Sequence, residues 1–234
     1  MKSTVLPTYR ECLVQSNSLL TCLGTDELEV LVAGRHPRRY RHGQFLFWEG
    51  TAPEGLYLMH SGQVKIARTG SNGKEQIMRV AQAGDVFGYL GLLDNSTHAA
   101  DAVVMDDAVV CFMPKAEFHW LMAVNGRFTL AITHELVGAL RQTKQQLMEM
   151  AHKPVRERLA GTLLHLQRRG SAQQPPVNRL TISRDDLAAL VGTARETISR
   201  FLSEFKAEGT LLVEGSHITL LQSERLQGIA TRYD

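Results

Sequence analysis

The feature that most constrains this chain is a change of apolar period at Pro114. Between residues 35 and 114 the apolar side chains fall in short runs punctuated by glycine, at 44–48, 55–59, 63–67, 76–80, 85–87, 99–105 and 108–113. Runs of about five residues, separated by turn signals such as Ser71-Asn-Gly73 and Ala83-Gly-Asp85, have the spacing of strands. They predict an antiparallel β barrel or jelly roll that closes its own edges around a small interior. Beyond Pro114 the period becomes 3.6, and neither proline nor a β-branched run interrupts it until Pro154, so one long helix is expected over about 126–150. Ahead of the barrel, Thr25-Asp-Glu-Leu28 reads as an N-cap with acid in the first turn. Leu28, Leu31 and Val32 follow at helical spacing and predict a short leading helix.

Within the long helix, Leu136, Leu140, Thr143, Leu147 and Met150 are spaced four, three, four, three, the a/d spacing of a two-stranded coiled coil with Thr143 as its polar interruption. Such a stripe needs an apolar partner. Spacing alone leaves two: the barrel of the same chain, or the same helix of a second copy, which would make a symmetric dimer. His152-Lys-Pro154 breaks the helix, and a further helix is expected over about 155–168. A polar connector at 170–176 leads to Leu180-Thr-Ile182, two short helices and a hairpin over 211–221 that turns at Glu214-Gly215-Ser216. The chain thus divides at the sequence level into 1–125, 126–152 and 153–234.

Three cysteines in 234 residues cannot build a disulfide framework, and the start of the chain has no long apolar core of a secretory signal, so a reducing cytoplasm is the expected setting. The longest uncharged stretch, 13–25, is too short and too polar for a bilayer, which needs about 20 apolar residues; no membrane partner is expected. Basic and acidic residues number 14 and 15 over 1–151 but 12 and 9 over 152–234. The positive excess lies in the last third, where a polyanion partner would bind.

That last third carries the most specific chemistry. Ser183 precedes a short apolar-faced segment as N-cap, with Asp186 at the third helical position and Leu187, Leu190 and Val191 on one face. Gly192 supplies a tight turn. In the following segment Ile198, Phe201, Leu202 and Phe205 form a core stripe, leaving Arg195, Glu196, Ser199 and Arg200 on the opposite face. Two helices joined by a short glycine turn make a helix-turn-helix, whose second helix enters the major groove of double-stranded DNA. Arginine can donate two hydrogen bonds to guanine O6 and N7, glutamate can accept from cytosine N4, and serine can do either. Arg184, opening the first helix, is placed to touch phosphate. The plainer alternative is a solvated Arg/Glu face; the capped first helix, the glycine turn and the wing-like hairpin favour DNA.

These residues carry a resemblance. Glu54-Gly-Leu-Tyr57, Ser61-Gly-Gln-Val-Lys65 and Gly84-Asp-Val-Phe-Gly88 resemble the effector barrel of the bacterial Crp/Fnr transcription regulators, 126–150 their dimer helix, and Arg195-Glu-Thr-Ile-Ser-Arg200 their recognition helix. The fold class this implies is α+β: an antiparallel β jelly-roll effector domain with an N-terminal arm, a long dimerisation helix, and a C-terminal winged helix-turn-helix domain. The resemblance implies a homodimer on a palindrome with half-sites related to TGTGA or TTGAT, joined through Leu136, Leu140, Leu147 and Met150, with RNA polymerase as a further partner.

The signal is less legible. Where cyclic-AMP-binding members place a ribose-binding Glu and a phosphate-binding Arg-Ser, this chain has Tyr89, His98 and Ala99. An imidazole mostly neutral near pH 7 replaces a bidentate guanidinium poorly, so cyclic AMP is disfavoured and another small effector is expected. Tyr89, His98 and Thr143 are the effector-pocket candidates, with a solvent-facing His98 as the plain alternative. The haem ligand pair of the carbon-monoxide sensors is Gly88 and Leu90 here. An iron–sulfur cluster of the Fnr kind needs four thiolates, and only Cys12, Cys22 and Cys111 are present. No cofactor is assigned. A thiol switch joining Cys111 to Cys22 or Cys12 remains, against the reading that all three are reduced and inert. No Walker loop, metal-spaced His/Asp set or nucleophile–base pair supports an enzyme. The competing class is a cyclic-AMP-type nucleotide-binding regulatory protein that acts through protein partners.

Overall fold

A computed structural model describes residues 6–11, 19–33, 35–170 and 179–231, and resolves the chain into two compact units. The first comprises Met1–Arg68 and Met78–Leu140, the second Thr69–Ile77 and Arg141–Asp234. In chain order the elements are α1 (Thr25–Val32), β1 (Arg38–Tyr40), β2 (Phe45–Phe47), β3 (Gly55–Thr69), β4 (Glu75–Ala81), β5 (Val86–Phe87), α2 (Leu90–Asp94), β6 (Asp101–Pro114), α3 (Lys115–Val124), α4 (Gly126–His152), α5 (Val155–Gly170), β7 (Arg179–Thr181), α6 (Arg184–Val191), α7 (Arg195–Ala207), β8 (Leu211–Glu214), β9 (His217–Leu220) and α8 (Ser223–Ala230).

The first sheet runs β1-β6-β3-β4, with β2 also on β6 and β5 also on β3; the pairings registered for β1, β2, β3, β5 and β6 are antiparallel. Its long strands correct the short runs expected from the sequence. The runs at 55–59 and 63–67 are one strand, β3, and those at 99–105 and 108–113 are one strand, β6. Pairing continues through shifts of register between Met59 and Val64, because a bulge absorbs extra residues without ending a ladder. Gly62 makes this bulge: its φ is +86°, and a Cβ there would lie 2.4 Å from the Asp107 carbonyl oxygen. The glycine that reads as punctuation is a bend within a continuous strand.

Two apolar clusters fill the first unit. One gathers Tyr9, Leu19, Leu20, Leu31, Cys111, Met113, Phe118, Phe128 and Ile132, joining the N-terminal arm, β6 and the start of α4. The other, with Phe47, Tyr57, Met59, Phe87, Val104 and Val110, lies inside the sheet. The long helix starts where Asn125 accepts the Phe128 amide at 3.0 Å, and the same side chain's amide nitrogen donates to both Glu27 carboxylate oxygens at 2.9 and 2.8 Å. Phe128 and Ile132 are its only buried residues. In the second unit, Leu159, Leu163, Leu187, Ile198, Leu202, Phe205, Leu211, Ile218, Leu220 and Leu226 are buried, around a small sheet ordered β7-β9-β8. Among the described residues no helix is long and apolar enough to cross a membrane.

Candidate nucleic-acid interface and barrel interior

The helix-turn-helix forms where its local chemistry says it must. The Ser183 hydroxyl accepts the Asp186 amide at 2.9 Å and donates to the Asp186 carboxylate at 2.6 Å, satisfying one of the free amides of the first turn of α6. Gly192 ends that helix in the left-handed conformation, at φ +72°, which glycine adopts without the Cβ penalty. Ile198, Leu202 and Phe205 then turn one side of α7 into the core. Its other side presents Arg195, Glu196 and Arg200 to solvent, with Ser199 half-buried.

Each arginine on this face has a weak and replaceable partner. Arg195 lies 3.3 Å from Asp185, with both side chains more than half exposed. Arg200 lies 3.2 Å from Glu204 one turn on, and its guanidinium stacks over the Phe201 ring at 4.3 Å. Exposed pairs of this kind contribute about 0–1 kcal/mol, so an incoming phosphate or guanine edge displaces them at little cost. Arg184 does something the sequence did not suggest: its guanidinium donates to the Gly215 carbonyl at the tip of the β8–β9 hairpin, tying the start of α6 to the wing. Sequence reasoning also missed Arg158 of α5. Its Nε donates to the Val191 carbonyl at 3.1 Å, and its terminal nitrogens to the carbonyls of Lys153 at 2.8 Å and Gly192 at 3.4 Å. It thereby holds the carbonyls at the end of α6. Helical spacing carries no signal for the bonds to Val191 and Gly192, because these two acceptors lie more than thirty positions away.

The long helix leaves an apolar stripe uncovered. Leu130, Val137, Leu140 and Leu147 are 56, 41, 56 and 66% exposed and recur at seven, three and seven residues. Met148 and Met150 are exposed beside them and Thr143 is exposed as well. Leu136 departs from its expected place: it is half-buried against the arm cluster of its own chain. Val137 takes its position on the stripe, so the a/d reading is displaced by one residue there.

Two independent matches now bear on the chain. Residues 37–125 match the family described as the cyclic nucleotide-binding domain, and residues 157–229 match the Crp-like helix-turn-helix domain. The chain belongs to the Crp/Fnr family. It is similar to the CRP-like cAMP-activated global transcriptional regulator of Mycobacterium tuberculosis, at 28% identity over 192 residues covering 81% of this chain and 86% of that one. It is also similar to the fumarate and nitrate reduction regulatory protein of Escherichia coli, at 28% identity over 207 residues covering 88% and 82%. The fold matches the solved structure of FixK2 from Bradyrhizobium japonicum with a TM-score of 0.75 at 24% identity, over 82% of this chain and 96% of that one. This Crp/Fnr protein is therefore a transcription regulator built from a cyclic nucleotide-binding-type domain and a helix-turn-helix domain.

The interior of the first unit of this Crp/Fnr member is lined by packed aromatic rings. His98 is buried, and its ring stacks on Phe47 with centroids 3.7 Å apart and planes 11° apart. Phe47 also packs on Tyr57 at 5.5 Å and Phe87 at 6.1 Å, and Tyr57 stacks on Phe87 at 5.4 Å. His98 is thus an aromatic member of the packed interior, not the solvent-facing residue allowed as its alternative. Burial pulls its pKa below the ordinary imidazole value of 6.5 and keeps the ring neutral near pH 7. Burial pushes the Tyr57 phenol up to about 12. Over 88–100 the only formal charge is that of Asp94, which is exposed.

Tyr89 is buried, and burial raises its phenol although Arg79 hydrogen-bonds to it and the charge of that arginine lowers it. Arg79, a residue the sequence reading missed, also lies 3.4 Å from Asp85 and donates to the Val86 carbonyl at 3.3 Å. Of the cysteines, Cys111 is fully buried and disulfide-bonded, Cys22 is a free, half-buried thiol, and Cys12 lies outside the described residues.

Proposed function

We propose that this regulator binds a palindromic DNA operator as a homodimer in the cytoplasm, with RNA polymerase as its partner in transcription and a signal other than classical cyclic AMP. The observation that carries the reading is α7, anchored on one side by Ile198, Leu202 and Phe205 and presenting Arg195, Glu196 and Arg200 on the other through pairs that break at little cost. In the major groove Arg195, Glu196 and Arg200 read base edges and Ser199 assists. Arg184 reaches the phosphate backbone from the start of α6, at the wing whose tip it fastens. The exposed stripe Leu130, Val137, Leu140 and Leu147, continued by Met150, supports self-pairing of α4, and two copies related by a two-fold axis engage two half-sites. The buried His98, stacked on Phe47 with its pKa lowered by burial, supports a signal without a phosphate.

A mobility-shift titration against a palindrome of TGTGA or TTGAT half-sites, repeated from about 50 to 200 mM salt, tests the reading. The expected slope of log affinity against log salt is about −0.9 for each phosphate neutralised. A flat salt dependence would mean that the C-terminal unit docks on something other than nucleic acid.

A further inference from the structure

Arg200 stands at one end of a ladder of charges that runs through the second unit. Its guanidinium lies 3.2 Å from one carboxylate oxygen of Glu204. The other oxygen of Glu204 lies 3.9 Å from Nε of Arg156, the second residue of α5. Arg156 in turn lies 2.6 Å from Glu208, the residue that ends α7, and its guanidinium covers the Phe205 ring at 4.9 Å. Glu208 also meets Arg225 of α8: its carboxylate lies 3.7 Å from one terminal nitrogen, and its carbonyl accepts the other at 3.1 Å. The signs alternate along this line, three arginines against two glutamates. The two end arginines are 62 and 52% exposed, whereas Arg156 is 29% exposed and fixed between a carboxylate and a buried ring.

Glu204 therefore has two arginines, and one of them can leave without stranding it. We infer that Arg156 is a positioning residue for base reading, taking over the charge of Glu204 when Arg200 leaves that carboxylate for a guanine edge. The inference rests on the base-reading role proposed above for Arg200. With Arg200 on DNA, two arginines remain opposite two glutamates and the ladder stays neutral. Without Arg156 the same departure leaves one arginine against two glutamates. An unmatched carboxylate one helical turn from Arg200 then repels the phosphates of the duplex. Before binding, Glu204 also holds Arg200 with its whole charge, since nothing shares it.

A purely structural role for Arg156 predicts something different. Arg156 and Arg225 also neutralise acids at the C-terminal end of α7, where the helix dipole disfavours negative charge. Loss of that contribution alone lowers the stability of the second unit and weakens every DNA sequence alike. Loss of the exchange weakens only DNA on which Arg200 finds its base.

The test compares the full native chain with Arg156→Gln, Glu204→Gln and the double variant by fluorescence anisotropy. The labelled DNAs are the palindrome that the native chain binds and the same palindrome altered at the base pair where Arg200→Ala loses discrimination. Arg156→Gln is expected to weaken the first about 2- to 5-fold and the second less than about 2-fold, the scale of an exposed ion pair. The double variant is expected to match Glu204→Gln, because Arg156 has nothing to take over once that carboxylate is gone. An unchanged affinity of Arg156→Gln for the native palindrome overturns the inference. So does an equal loss on both DNAs, or a loss that persists in the Glu204→Gln background, since either makes Arg156 an ordinary surface charge. Folding is followed by melting temperature. Arg156→Met, which keeps an unbranched stem over Phe205, carries the same comparison if the glutamine variant does not fold. Arg200→Ala judges base reading separately. If it discriminates among base-substituted palindromes as the native chain does, the base-reading role falls and the inference with it. If it loses discrimination while the effects of Arg156→Gln and Glu204→Gln simply add, base reading stands and the role of Arg156 falls alone.

Discussion

The arginine-bearing face of α7 and the interior of the barrel treat polar chemistry in opposite ways. On α7 the arginines lie in water, each held by one exposed carboxylate or by the face of a neighbouring ring. In the barrel the side chain at the candidate phosphate position, His98, is buried, neutral and pressed flat on Phe47. A surface arginine keeps its function because little holds it, whereas a buried imidazole among aromatic rings is itself part of the packing. The difference teaches that a polar side chain stays available where little holds it and becomes part of the packing where rings enclose it.

The comparison sharpens if the two regions fail differently. Phe47→Ala removes the ring on which His98 and Tyr57 pack, and a buried Phe→Ala change costs about 3–5 kcal/mol; calorimetry should place that loss in the first unit. Intact thermal stability would mean that the interior is not close-packed. Leu140→Glu, at a site exposed in the single chain, should leave the fold intact yet bury an unpaired charge in a self-paired seam. Light scattering should report monomers and operator affinity should fall at least about 100-fold, since the second half-site is no longer tethered; a persistent dimer would place the interface elsewhere.

Arg200→Ala should cost about 1–3 kcal/mol of operator binding and relax specificity at one base pair, with the melting temperature unchanged. Arg184→Ala, by contrast, should weaken all sequences alike. Uniform losses for both across a base-substituted operator series would remove the base-reading role of Arg200.

The smallest effect is a pH dependence. His98 has a folded pKa below its ordinary 6.5, so the folded state resists its protonation. Its contribution to stability is fully present above about pH 6.5 and is lost as pH falls below that value toward the folded pKa. His60, also lowered by burial, adds to the trend. Chemical denaturation between pH 7 and pH 5 should show a steeper loss in the native protein than in His98→Phe. Equal slopes would mean that His98 titrates freely, and the contrast with α7 would weaken.

Much of this was legible in residue order. The strand-like runs before Pro114, the helical period after it, the Ser183 cap and the Gly192 turn each depend on neighbours within about four positions. The winged helix-turn-helix formed where those signals placed it. The helices α2, α3 and α8 were not anticipated. Their five to ten residues are too few for a period to stand out from apolar runs in other structure.

By itself, then, the order of residues determined which segments become strands, which become helices, and which face of α7 carries arginine, because those outcomes follow from local periodicity and backbone preference. Only tertiary structure decided that β3 and β6 each run on through a bulge, that Leu136 turns to its own core while Val137 faces out, that Arg184 ties the wing and Arg158 the end of α6, and that His98 stacks on a phenylalanine. Each of these depends on groups brought together from distant positions, where packing and the need of buried polar groups for partners outweigh what any local pattern can encode.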